Sequence, residues 1–233
     1  MTDSVHKKLN KRRLYLCSAD RSDLEHFIDA SITGGVDVVQ FRDKHLETRQ
    51  LLKRAKLAQQ VCLSHGVPFI INDRPDIAFE LGADGVHLGQ QDMPVSAARK
   101  LLGQDAIIGL STHQESELED AQTQPVNYIS AGPVVATPTK PGRAGTGNSY
   151  ISLAINRVDV PVYVTGGVDP YCVPNLVRYG AQYFVVVRWL TQASDPLDAA
   201  RKLKAAIDEA LAQTKQVETS PGETSPGETR RQP

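Results

Sequence analysis

The stretch FIINDRPDIAFELGADGVHLGQQD, Phe69 to Asp92, carries the fold in miniature. Phe69–Ile71 is a short aromatic and β-branched run, the composition of a buried strand. Pro75 then opens an amphipathic stretch that Gly82 closes, in keeping with proline at helix starts and glycine at helix ends. Gly85–Leu88 is a second strand of the same character. Strand, short helix, strand is a unit whose two strands pair in parallel, because the crossover carries the chain back to the end of the sheet where the first strand began. Polar residues follow both strands at the same end: Asn72, Asp73 and Arg74 after the first, Gly89, Gln90, Gln91 and Asp92 after the second.

The same rhythm extends in both directions. Further strands are expected at Leu14–Ser18, Val36–Phe41, Ile107–Leu110, Tyr128–Ser130, Val162–Thr165 and Tyr183–Val187. Helices are expected at about 22–33, 47–65, 75–82, 94–102, 114–122, 149–157, 170–179 and 195–213. Asp169-Pro170 and Asp195-Pro196 each read as a capping aspartate before a first-turn proline. Eight such units are the number that closes a (β/α)8 TIM barrel. A doubly wound open sheet competes, but no GxGxxG follows the first strand, which weakens its dinucleotide-binding version.

Composition agrees with one large core. Of 233 residues, 40% are hydrophobic and 23% charged, which excludes a chain disordered throughout. A formal charge of −1 argues against a nucleic-acid partner. No apolar run nears the roughly 20 residues of a membrane helix, and Met1–Lys8 lacks the apolar centre of a secretory signal. The cysteines, Cys17, Cys62 and Cys172, are odd in number and without metal-type spacing, so reduced thiols in a cytoplasmic protein are expected. Residues 1–13, with Lys7, Lys8, Lys11, Arg12 and Arg13, read as a solvated basic lead-in. Residues 14–214 read as the single barrel domain, and residues 215–233, a Glu-Thr-Ser-Pro-Gly repeat, as a disordered tail.

Barrel sites form where strands end, so the residues after each strand carry the functional reading. They are Gln40-Phe41-Arg42-Asp43-Lys44, Asn72-Asp73-Arg74, the segment up to Asp92, Ser111-Thr112-His113, Gly132-Pro133, Thr137-Pro138-Thr139-Lys140, Gly166-Gly167 and Arg188. Arg42, Lys44 and Lys140 suit phosphate oxygens. Asp73 and Asp92 suit Mg2+, which takes few carboxylates and keeps substrate oxygens and waters. Gly166-Gly167 and the end of the last strand suit a second, monophosphate cup built on backbone N–H groups. Each element has a plainer reading: Asp73 as a local ion pair, Asp92 as a cap, Gly166-Gly167 as a turn, His87 as a packed core residue, Asp20 as a turn residue. What favours function is their convergence on one end of the strands.

Taken in this order, the motifs resemble those of the thiamine-phosphate synthase family over about residues 14–210. The resemblance implies a transferase joining hydroxymethylpyrimidine pyrophosphate to a thiazole phosphate, giving thiamine monophosphate and pyrophosphate. It implies one Mg2+ per site on Asp73 and Asp92, and small phosphorylated molecules as partners. Gln40, Phe41, Arg42, Asp43, Lys44, Asn72, Ser111 and Lys140 correspond to the pyrimidine pyrophosphate site, and Arg42, Lys44, Lys140 and Ser111 to its catalytic set. Thr137, Pro138, Thr139, Gly167, Val187 and Arg188 correspond to the thiazole phosphate site. Arg188 departs from the family, where a serine is expected. The alternatives are a thiazole tautomerase-like isomerase on the same barrel, and a non-catalytic regulator that binds a thiamine precursor. A homo-oligomer is left open. The glycine-containing segment Ala136–Asn148 is the expected lid.

Overall fold

The computed structural model describes residues 9, 11–138, 142 and 144–219, with side chains placed as far as Thr214. Eight parallel strands close into a barrel in the order β1 to β8. They are β1 (Leu14–Ser18), β2 (Val38–Phe41), β3 (Phe69–Asn72), β4 (Gly85–Leu88), β5 (Ile107–Thr112), β6 (Tyr128–Ala131), β7 (Val162–Val164) and β8 (Tyr183–Val186). Closure is direct, with Tyr15 of β1 opposite Val185 of β8.

The helices between strands are α1 (Leu24–Thr33), α2 (Thr48–Ser64), α3 (Pro75–Leu81), α4 (Val95–Leu102), α5 (Glu115–Gln122), α6 (Gly147–Arg157) and α7 (Val173–Arg178). A single turn, α8 (Arg188–Thr191), follows β8, and α9 (Pro196–Thr219) ends the described chain. The open-sheet alternative is therefore excluded. Helix α9 overruns the expected tail boundary at 215 by five residues, to Thr219, and the rest of the expected tail lies outside the described residues. Asp195 does cap α9, accepting from Asp198 N at 3.0 Å. Asp169 instead holds a tight turn, accepting from Tyr171 N and Cys172 N, and regular helix begins only at Val173.

Strand alternation divides the core in two. Outward residues such as Leu16, Val39, Phe41, Ile71, Val86 and Phe184 pack against the helices. Inward residues Tyr15, Val38, Ile70, Ile107, Tyr128, Tyr163 and Val185 fill the barrel. The interior is tight enough that Gly109 cannot carry a side chain: a Cβ there would stand 2.0 Å from Tyr128 Cζ. The lead-in is not simply solvated. Leu9 is buried in the interior cluster, and Arg12 donates to the carbonyls of Asp37 and Gly66. Arg13 donates to the Gln182 carbonyl and lies over the Tyr183 ring. Charge patterning alone cannot reveal that one leucine between lysines plugs the barrel. Residues 1–8 lie outside the described residues.

Candidate active site

Cavities open where the strands end, and two of them gather most of the described residues read as ligand contacts. The first, of about 560 Å3, is lined by Gln40, Arg42, Lys44, Asn72, Asp73, Asp92 and Ser111, together with Tyr15, His87, Gln90, His113, Glu117 and Tyr128. The second, of about 800 Å3, is lined by Thr137, Gly166, Gly167, Val187 and Arg188, together with Pro133, Val135, Tyr171 and Trp189. Thr165, Val185 and Val187 line both, so the cavities share a wall at the ends of β7 and β8. The anionic-ligand residues read from the sequence thus fall into two adjoining groups.

Alternation explains which residues of the β2 end take part. Gln40, Arg42 and Lys44 line the first cavity. Phe41 points the other way, 1% exposed, and its side chain packs among the helices outside the cavity. Asp43 is also outside the cavity. Its carboxylate accepts from the backbone N–H groups of Asp20, His45 and Leu46, which shapes the loop and holds its carboxyl below the usual range against the cost of partial burial. Asp20 is bound to Arg54 at 2.6 Å, as a structural residue.

Asp73 sits in the left-handed region at φ 60°, which aspartate tolerates better than most residues. Its N–H donates to the His87 carbonyl at 2.8 Å, and its carboxylate meets Lys44 Nζ at 2.9 Å. Asp92 accepts from Gly89 N at 2.6 Å and lies close enough to Asp73 for the two carboxyls to share a proton. Burial raises the Asp92 carboxyl, and the neighbouring Asp73 raises it further. Burial also opposes ionisation of Asp73, but the Lys44 contact wins and holds it below the usual range.

In the second cavity, Gly166 and Gly167 turn at φ 97° and 78°. A Cβ on Gly166 would lie 2.5 Å from Pro133 Cα, so the β6 and β7 ends can approach only over glycine. Thr137 and Arg188 line this cavity, whereas Pro138 is exposed and does not. Thr139 and Lys140, with Pro141 and Arg143 of the expected lid, lie outside the described residues.

Several lining residues were given no specific role from the sequence. Gln90 Nε2 donates to the Ser111 carbonyl at 2.6 Å. His113 is paired with Glu117 at 2.9 Å. Tyr15, His87 and Tyr128 form one buried hydrogen-bonded chain with Gln40 and Ser111. Their inward position was available from strand alternation, since His87 sits between outward Val86 and Leu88. None of the three cysteines is in a disulfide, and Cys17 and Cys62 are buried. No helix among the described residues is long and apolar enough to cross a membrane.

The thiamine monophosphate synthase family model matches residues 14–190. A thiamine-phosphate synthase of Thermobifida fusca is 42% identical over 218 residues, covering 91% of this chain and 100% of that protein. One from Nostoc punctiforme is 42% identical over 191 residues, and there the match spans 82% of this chain but 54% of the relative. The chain is thus similar to whole proteins and to about half of longer ones. Among solved structures, a thiamine phosphate pyrophosphorylase from Pyrococcus furiosus superposes with a TM-score of 0.79 at 27% identity, covering 87% of this chain and 98% of that one. With the family match spanning most of the barrel, the chain belongs to the thiamine monophosphate synthase family, whose relatives here are the transferases named thiamine-phosphate synthase.

Proposed function

We propose that the chain condenses hydroxymethylpyrimidine pyrophosphate with a thiazole phosphate, giving thiamine monophosphate and pyrophosphate. The observation that carries this reading is the shared wall. Two cavities, each furnished for an anion, meet at Thr165, Val185 and Val187. Two phosphorylated halves held there have their reacting ends side by side, and such positioning replaces much of the entropy of a bimolecular encounter.

In the first cavity Gln40, Asn72 and Ser111 hold the pyrimidine and Arg42 and Lys44 the pyrophosphate; Lys140, outside the described residues, is assigned to the pyrophosphate by its place in the sequence motif alone. Asp73 and Asp92 are the residues for one Mg2+. Two adjacent carboxylates, with no cluster of three or more His, Cys, Asp or Glu metal-binding groups among the described residues, are the donor set for an ion that keeps waters and phosphate oxygens. When bound, the ion supplies divalent positive charge beside the leaving group. In the second cavity the Gly166-Gly167 turn, Thr137 and Arg188 hold the thiazole phosphate, and Thr139, outside the described residues, joins them by its sequence motif alone.

The substitution is dissociative: the bond from the pyrimidine methylene to pyrophosphate oxygen breaks, and the thiazole nitrogen then gives its electron pair to that electron-poor carbon. The amino-substituted ring stabilises the electron-poor methylene, so the protein needs no nucleophile of its own. Arg42, Lys44 and Lys140 neutralise the charge growing on the leaving oxygen, a contribution that preorganised cations make at low cost in reorganisation. The isomerase alternative releases no pyrophosphate and has no use for this cation set.

Pyrophosphate release from purified protein, with either substrate or Mg2+ left out in turn, tests the reading. Release that needs all three supports it. Release that ignores the thiazole phosphate, or no release at all, overturns it.

A further inference from the structure

The barrel interior beneath the first cavity holds a continuous polar chain. Gln40 Nε2 donates to Tyr15 Oη at 2.8 Å, and Tyr15 Oη lies 2.9 Å from Tyr128 Oη. Tyr128 Oη lies 2.9 Å from His87 Nδ1, and His87 Nε2 lies 2.9 Å from Ser111 Oγ. None of the five residues is more than 8% exposed. The two ends, Gln40 and Ser111, are pyrimidine contacts in the reading above. The middle three have no part in it.

Counting protons gives the chain a direction. The Cys17 thiol donates to Gln40 Oε1, so the Gln40 NH2 faces Tyr15. In the arrangement that serves every member of the chain, Tyr15 accepts from Gln40 and gives its one proton to Tyr128. Tyr128 turns its proton to His87 Nδ1. A neutral His87 then carries its proton on Nε2 and donates to Ser111 Oγ. Ser130 Oγ also approaches Ser111 Oγ, at 3.4 Å, as a second donor. The Ser111 proton is left for the cavity, and Gln40 offers the cavity its carbonyl oxygen. Burial raises both phenols, so the chain keeps its protons at neutral pH.

We propose that Tyr15, Tyr128 and His87 are positioning residues that fix Ser111 as a hydrogen-bond donor and Gln40 as an acceptor, making the site select an aminopyrimidine over its oxo counterpart. An aminopyrimidine offers an acceptor ring nitrogen to Ser111 and a donor amine to Gln40. The oxo form places a carbonyl against the Gln40 carbonyl, leaving two acceptors opposed in a dry site. Sites built on such directed bonds reject the mismatched analogue strongly, because its polar groups stay unpaired. The proposal rests on the synthase reading and adds what sets its choice of ring.

Two measurements test it. In ligand-free wild-type protein with 15N-labelled histidine, the ring nitrogen shifts of His87 are expected to place the proton on Nε2. A proton on Nδ1 overturns the relay, whatever the protein catalyses. In turnover, wild type is expected to favour the aminopyrimidine pyrophosphate over its 4-oxo analogue by about 100-fold or more in kcat/KM. Tyr128→Phe is expected to lower that ratio by about 10-fold or more, with Tyr15→Phe as the second variant should Tyr128→Phe not fold. An unchanged ratio in a folded variant overturns the proposal. Wild type that turns over neither compound defeats the synthase reading, while the histidine shifts still decide the relay.

Discussion

Lys44 Nζ stands 2.9 Å from Asp73 Oδ2, joining the ends of β2 and β3 across the mouth of the first cavity. The lysine is half exposed and the aspartate mostly covered, so the pair is a poised charge arrangement more than a source of stability. In the proposed reaction Lys44 turns to the pyrophosphate and Asp73 to the metal. Lys44→Ala and Arg42→Ala are each expected to lower kcat by about 100-fold or more, with little change in melting temperature. Steady-state pyrophosphate release on the folded variants checks this, and near-normal turnover contradicts the assignment.

Magnesium binding is expected to depend on pH through Asp92. Its carboxyl is raised by burial and by Asp73, whereas Mg2+ needs it ionised. Binding therefore expels protons, and affinity rises with pH until Asp92 is fully ionised. The same raised group favours the metal-free fold at low pH, and that contribution is lost as pH rises through its folded value. Calorimetric Mg2+ titrations in buffers of different ionisation enthalpy measure the proton release. Asp92→Asn should abolish both binding and release.

Arg188 opens α8 beside the second cavity, where the family pattern leads one to expect serine. Arg188→Ala is expected to raise KM for the thiazole phosphate about 10-fold and leave KM for the pyrimidine pyrophosphate unchanged. Arg188→Ser should fall between the two. Equal effects on both substrates would place the arginine outside the cup.

Leu9 is 2% exposed inside the barrel cluster, so this residue is part of the interior core. Leu9→Ala is expected to destabilise by about 2–5 kcal/mol, the range for a large-to-small core change. Deleting residues 220–233 is expected to leave turnover intact. Denaturant unfolding and the release assay check the two.

The barrel was legible because each strand is a short apolar run closed by polar or glycine residues at one end, a pattern read within single βα units. The two cavities were legible for the same reason: the segments after β2, β3, β4 and β5 converge on one and those after β6, β7 and β8 on the other. The outward direction of Phe41 and Asp43 was not legible, because proximity in sequence to Arg42 and Lys44 hides that alternate residues face opposite ways. Leu9 was missed because its burial depends on strands far along the chain. The Tyr15–Tyr128–His87 chain was invisible for a related cause, since its bonds join residues up to 113 positions apart. Sequence periodicity shows which face such residues occupy, not which partner they meet there.

The central claim is that two substrates held against one shared wall are joined as pyrophosphate leaves. A single-turnover reaction with enzyme in excess over the pyrimidine pyrophosphate, quenched and quantified for both products, tests it most directly. Thiamine monophosphate and pyrophosphate forming in equal amounts at equal rates is the predicted result. Pyrophosphate without thiamine monophosphate, or a rearranged thiazole phosphate with no pyrophosphate, would contradict it.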